Sequence, residues 1–81
     1  MLELFWDSTY AIALALLEHY PGIRPQDVGL AELAKMVENL PDFQDDPALV
    51  TERILLDIQI TWYEEFSTLG GTLHDNRRYH V

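Results

Sequence analysis

Four carboxylates close together near the middle of the 81-residue chain are the side chains best suited to chemistry. They are Asp42, Asp45, Asp46 and Glu52. Oxygen ligands of this kind suit Mg²⁺, Ca²⁺, Mn²⁺ or Fe²⁺, and the same carboxylates would also suit a basic protein partner. A structural explanation stays open, because acids are favoured at helix N-termini and Asp46 before Pro47 has the form of an N-cap.

Residue types needed for most catalytic mechanisms are scarce. The chain has no cysteine, which excludes disulfides, thiolate metal sites and a cysteine nucleophile. The three histidines, His19, His74 and His80, offer no pattern of a nucleophile beside a base. Gly70-Gly71 lacks the lysine and the helix of a phosphate-binding loop. We therefore predict that the protein is not an enzyme.

Negative charge dominates the first four-fifths of the chain. The whole chain has 14 acids and 5 Lys or Arg, for a net charge of −9. Residues 1–66 contain 13 acids and 3 bases, for a net charge of −10, and the remaining residues carry +1. Such a charge repels nucleic acid and anionic lipid and attracts basic proteins or metal cations. We expect a cationic partner, and neither nucleic acid nor membrane binding.

The longest apolar run also argues against a membrane protein. It extends from Tyr10 to Leu17, eight residues where a bilayer span needs about 20. No basic leader follows Met1, so a targeting segment is not indicated. We expect a monomeric, cytoplasmic protein.

Apolar residues at helical spacing predict three helices. Asp7 or Ser8 caps the first, which ends at Pro21-Gly22, and the second ends before Pro41. The first has its apolar stripe at Ile12, Ala13, Leu16, Leu17 and Tyr20, and the second at Leu30, Leu33, Val37 and Leu40. Between them, Pro25 suits the start of a short helix and Val28-Gly29-Leu30 is predicted to be extended or tightly turned.

The third helix is predicted to begin between Asp46 and Thr51 and to end near Ser67. Its apolar stripe consists of Ile54, Leu55, Ile58, Trp62 and Phe66. Trp62 is predicted to lie in the core, and Trp6 to close the start of the first helix. We predict an all-α, compact three-helix domain over residues 1–67, helix-turn-helix-like or with nearly parallel axes, and a flexible tail over residues 68–81.

Acids occupy the predicted last turn of every helix, where the helix dipole disfavours them by about 0.3–1 kcal/mol. They are Glu18, Glu38, Glu64 and Glu65. One explanation is that solvent and salt screen these charges, so that they cost little stability. The other is that the protein is less stable than it could be because its function requires a negative surface.

An ordered series of residues resembles the small acidic IscX-type proteins of bacterial iron–sulfur cluster assembly. The most specific parts are the Asp-Phe-x-Asp-Asp-Pro loop at 42–47 and the Ile-Leu-x-x-Ile-x-x-x-Trp-x-Glu-Glu helix at 54–65. The other matching positions are Trp6-Asp7-Ser8, Ile12-Ala13, Tyr20-Pro21, Pro25, Val28, Leu33, Val37, Leu40 and Glu52. Gln44 interrupts the acidic run usual in that family, and residues 67–81 have no counterpart in it.

The resemblance implies a modified winged-helix fold that does not bind DNA. It also implies an accessory or regulator that binds cysteine desulfurase in competition with frataxin and holds ferrous iron weakly. The partner-binding face carried over to this chain is Asp42, Asp45, Asp46, Glu52, Glu64 and Glu65, with Asp7 and Glu18 as lesser candidates. Asp42, Asp45, Asp46 and Glu52 are the hypothetical iron ligands. The alternatives are a ferrous-iron donor and a generic acidic protein-interaction module.

Overall fold

The structure, a computed structural model, describes residues 3–79, with the surroundings of side chains up to Thr68. It contains three α-helices, α1 (Thr9–His19), α2 (Leu30–Glu38) and α3 (Glu52–Tyr79), and two short 3₁₀ turns, Pro25–Asp27 and Pro47–Leu49. The extended residues Leu4 and Phe43 form one isolated bridge. The predicted all-α, three-helix fold is confirmed, and its winged-helix variant stays a prediction. No helix in the described part of the chain is long and apolar enough to span a bilayer.

A single apolar core joins the three helices to the segment before α1. α3 packs mainly on α1 and also against α2. Trp62, predicted to lie in the core, is completely buried. The buried core residues are Leu4, Trp6, Ile12, Ala13, Leu16, Val28, Leu33, Met36, Val37, Leu40, Leu55, Ile58 and Trp62. Most of the predicted stripes are therefore confirmed, because the spacing of three and four residues places each set on one side of its helix.

α1 begins and ends close to the predicted positions. Ser8 occupies the N-cap position, and its backbone oxygen accepts from the Ile12 N–H at 2.8 Å. The Ser8 hydroxyl makes no capping bond to α1 and instead accepts from the Phe5 N–H at 3.4 Å. The helix ends at His19, just before Pro21.

The connection between α1 and α2 is held by a side chain of α3. Pro25 is buried and opens the first 3₁₀ turn, and Val28 and Gly29 are extended, as predicted. The Gln59 side-chain amide donates to the Pro25 carbonyl at 3.0 Å and to the Val28 carbonyl at 2.7 Å. The Pro25 carbonyl also accepts from the Val28 N–H at 3.2 Å, whereas the Gln59 amide is the donor that satisfies the Val28 carbonyl.

The start of α3 differs in detail from the prediction. Asp46 with Pro47 does form an N-cap, but for the Pro47–Leu49 3₁₀ turn and not for α3. α3 begins at Glu52, and the Thr51 hydroxyl accepts from the Ile54 N–H at 3.2 Å. The capping chemistry was predicted correctly and the capped element was not, because a separate turn precedes the helix.

The predicted end of α3 near Ser67 is wrong, since the helix continues through Gly70-Gly71 to Tyr79. Glycine disfavours a helix by about 1 kcal/mol relative to alanine, but it keeps the N–H donor that proline lacks. Glu64 and Glu65 consequently lie inside α3, and only Glu18 and Glu38 stand in a last turn. The flexibility expected for residues 68–81 stays a prediction, and residues 80 and 81 lie outside the described part of the chain.

Candidate functional site

The acidic loop, residues 42–47, is hydrogen-bonded to the segment that precedes α1. The Leu4 N–H donates to the Asp42 carbonyl at 2.8 Å, and the Gln44 N–H donates to the Leu4 carbonyl at 2.9 Å. These two bonds form the Leu4–Phe43 bridge. Because Leu4 is buried and Phe43 packs against the core, the loop has a defined position without being part of a helix.

Trp6, two residues after Leu4 in the same segment, also holds the acidic loop in place. Its indole Nε1–H donates to the Asp46 carbonyl at 2.9 Å, and its backbone N–H donates to Asp45 Oδ2 at 2.9 Å. The Trp6 and Phe43 rings meet edge to face, with centroids 4.8 Å apart and an interplanar angle of 69°. Sequence reasoning placed Trp6 at the start of α1 but missed these contacts with the acidic loop, which lies about forty residues further along the chain.

Asp45 and Asp46 both hold backbone groups. Besides accepting from Trp6, the Asp45 carboxylate accepts from the Asp46 N–H at 2.7 Å through Oδ1. Asp46 Oδ1 accepts from the Ala48 N–H at 2.9 Å. The structural explanation considered for Asp46 is therefore confirmed. Asp46 is nonetheless exposed and Asp45 half-buried, so both charges reach the surface.

The structure does not bring the predicted iron ligands together into a site. Within the described residues, no group of three or more histidines, aspartates and glutamates is arranged to hold a metal ion. Asp45 and Asp46 direct oxygens at backbone N–H groups, and Glu52 lies beyond the 3₁₀ turn, at the start of α3. These residues do not fit a preformed iron centre.

The three glutamates of α3 lie far apart or on different faces. Glu52 and Glu64 are twelve residues apart, which at 1.5 Å per residue is about 18 Å along the helix. Glu64 is exposed, whereas its neighbour Glu65 is half-buried. The predicted partner-binding residues thus do not form one compact cluster, and their joint use by a partner stays a prediction.

Most carboxylates in the described part of the chain have no cationic partner. The ion pairs among side chains of residues 3–68 are Arg24–Asp27 at 2.9 Å and Arg53–Asp57 at 3.5 Å. The Asp27 hydrogen bond and charge raise the pKa of Arg24. None of the six predicted partner-binding residues takes part in either pair. Their charges remain available to a molecule in solution.

Two open grooves adjoin these acids, and sequence reasoning missed both. The α1 groove, of about 470 Å³, is lined by Leu4, Tyr10, Ala11, Leu14, Ala15, Glu18, His19 and Asp42. The α3 groove, of about 510 Å³, is lined by Gln26, Gln59, Ile60, Tyr63 and Glu64. The available signal was apolar residues outside the predicted stripes, such as Tyr10 with Leu14 and Ile60 with Tyr63.

This fold and these side chains define a small all-α protein in which most carboxylates of the described side chains have no ion-pair partner. The family model for iron–sulphur cluster assembly matches residues 4–67, and the chain belongs to that family. The chain is also similar to the uncharacterized protein PA3808 of Pseudomonas aeruginosa, with 38% identity over 64 residues that cover 79% of this chain and 97% of that protein.

Proposed function

We propose that this protein is an IscX-type, non-catalytic accessory or regulator of iron–sulfur cluster assembly that binds cysteine desulfurase through its acidic surface. The surface consists of Asp42, Asp45, Asp46, Glu52, Glu64 and Glu65. Membership in the iron–sulphur cluster assembly family supports the pathway. The observation that carries the binding mode is the lack of an ion-pair partner for any of these six carboxylates within the described residues.

Long-range attraction is the physical basis of the proposed binding. Each exposed carboxylate contributes little alone, typically below about 1 kcal/mol in a single surface pair. A net charge of −9 on 81 residues attracts a positively charged surface collectively and accelerates encounter. The partner surface should therefore be rich in lysine and arginine, and competition with frataxin would follow if both proteins use that surface.

A fixed acidic loop favours this binding further. The hydrogen bonds from Trp6 to Asp45 and Asp46 hold the loop before any partner arrives. A loop that is already ordered loses less conformational entropy on binding than a mobile one does. The backbone contacts of Asp45 and Asp46 therefore support a docking role at the same time as they argue against an iron centre.

Weak ferrous-iron binding belongs to the same proposal as attraction of a cation to a negative surface. Carboxylates that are spread over the surface and partly used by backbone N–H groups provide no complete coordination shell. Iron held in this way would exchange rapidly and be displaced by salt. A dedicated iron donor would need the gathered ligands that the described residues lack.

A pair of charge-reversal variants tests the location of the surface. Glu64→Lys changes a proposed docking residue, and Glu32→Lys makes the same change at an exposed glutamate of α2 outside the proposed surface. Affinity for purified cysteine desulfurase is measured by titration calorimetry at constant ionic strength. We expect Glu64→Lys to weaken binding at least about fivefold more than Glu32→Lys, because only the first brings a like charge to the interface. Equal losses would show that net charge matters and this surface does not.

A further inference from the structure

The α1 groove has an apolar floor that the fold does not cover. Tyr10 and Leu14 are 57% and 41% exposed. They are four residues apart on α1 and are therefore neighbours on one helix face. The small side chains of Ala11 and Ala15 line the groove as well. The result is a depression wide enough for a large apolar side chain from another molecule.

Two carboxylates and the imidazole of His19 also line this groove. Glu18 comes from the last turn of α1 and Asp42 from the acidic loop, and neither belongs to either ion pair of the described side chains. No lysine or arginine lines the groove. An apolar floor with two carboxylates at its edge complements a segment in which an apolar side chain is flanked by cationic ones.

Charge also decides which kind of molecule fits. A second copy of this chain would bring a further net charge of −10 in its residues 1–66, and anionic lipid or nucleic acid would bring negatively charged phosphates. All three would be repelled by Glu18 and Asp42. A basic segment of another protein gains from both the apolar floor and the negative edge.

We propose that the α1 groove is a docking site for a cationic, amphipathic segment of a protein partner, which inserts one apolar side chain between Tyr10 and Leu14 and directs lysine or arginine towards Glu18 and Asp42. Identifying that partner as cysteine desulfurase rests on the proposed function. The α3 groove provides a comparison, because it also exposes apolar side chains, Ile60 and Tyr63, but has only one acid, Glu64, at its edge.

A peptide titration tests the groove without relying on the desulfurase. The probe is a synthetic peptide of leucine and lysine with an amphipathic helical pattern, and the control peptide has serine in place of leucine. Binding to the full-length, isotope-labelled protein is followed by NMR. We expect shifts concentrated at Tyr10, Leu14, Ala15 and Glu18 with the leucine peptide, and affinity at least about fivefold lower with the serine peptide.

Matched variants locate the apolar contact. Leu14→Gln changes the α1 groove and Ile60→Gln the α3 groove, both at exposed positions without a change of charge. We expect only Leu14→Gln to weaken binding of the leucine peptide, by about fivefold or more. Both variants should retain the native far-UV circular dichroism spectrum. Equal effects of the two variants, or shifts spread over every acidic region, would overturn the groove assignment.

The same variants with cysteine desulfurase separate the two proposals. A loss confined to Leu14→Gln supports both. Desulfurase binding that Leu14→Gln leaves unchanged overturns the groove as the desulfurase site while the proposed function stands. Specific peptide binding in the groove, without any desulfurase binding by the unmodified protein, supports the groove and overturns the proposed function.

Discussion

The indole Nε1–H of Trp6 donates to the backbone carbonyl of Asp46 at 2.9 Å, which joins the segment before α1 to the acidic loop. Trp6 is 3% exposed, so water does not readily replace this bond. The same residue packs edge to face on Phe43 and donates its backbone N–H to Asp45. Trp6 thus fixes the acidic loop together with the two backbone hydrogen bonds of Leu4.

Trp6→Phe should loosen the acidic loop while leaving the helices intact. Phenylalanine keeps an aromatic ring for Phe43 but cannot donate to the Asp46 carbonyl. The Asp46 carbonyl keeps the Leu49 N–H as a donor, so we expect a loss of about 1–3 kcal/mol in the free energy of unfolding, measured by urea denaturation, from the lost indole bond and the smaller ring. NMR shifts should be largest at residues 45–48, and unchanged shifts there would show that the indole bond does not position the loop.

Two substitutions at Asp46 separate its capping role from its charge. Asp46→Ala removes the acceptor for the Ala48 N–H and should lower the free energy of unfolding by about 0.5–2 kcal/mol. Asp46→Asn keeps a side-chain acceptor and should lose much less stability. Both remove one negative charge, so both should weaken desulfurase binding. If Asp46→Asn lowers the free energy of unfolding as much as Asp46→Ala does, the capping bond is not the source of the effect.

Gln59 should be important for stability although it lies outside every predicted site. Gln59→Ala removes two hydrogen bonds and leaves the Val28 carbonyl without its donor, whereas the Pro25 carbonyl keeps the Val28 N–H; we expect a loss of about 1–3 kcal/mol in chemical denaturation. Gln26→Ala is a suitable control, because Gln26 is an exposed glutamine in the turn that Gln59 holds. A cost no greater than that of Gln26→Ala would contradict the role assigned to these two bonds.

The proposed diffuse attraction of iron has a distinct NMR signature. Under anaerobic conditions, added Fe²⁺ should broaden many surface acidic residues gradually, without saturating at one equivalent, and salt should reverse the effect. Mg²⁺ added in excess should compete, because no ligand set selects for iron. Saturable, stoichiometric broadening confined to residues 42–52 would instead indicate a defined site at the acidic loop.

Local sequence patterns predicted the helices and much of the core because those features depend on neighbours along one helix. The pairs Leu33 with Val37 and Ile58 with Trp62 are spaced by four and are all buried, as expected. The indole bond of Trp6 and the amide bonds of Gln59 join residues more than thirty positions apart. No periodicity reveals such pairs, since they depend on how the helices pack.

The acidic surface was predictable as a charge but not as an arrangement. The residue count gives residues 1–66 a net charge of −10. It does not decide which carboxylates are metal ligands, helix caps or docking groups. The structure separates some of these roles: Asp45 and Asp46 bind backbone N–H groups, and Glu52 lies about 18 Å along α3 from Glu64. The extension of α3 past Gly70-Gly71 was missed because a glycine pair was treated as a stop, although glycine only weakens a helix.

The affinity for purified cysteine desulfurase as a function of ionic strength tests the central claim most directly. Raising the salt concentration from about 0.01 M to about 0.15 M shortens the Debye length from ~30 Å to ~8 Å. If unpaired carboxylates carry the binding, affinity should fall more than about tenfold over this range, and frataxin should displace the protein at equal ionic strength. Absence of binding at low salt, or tight binding that salt leaves unchanged, would contradict the account.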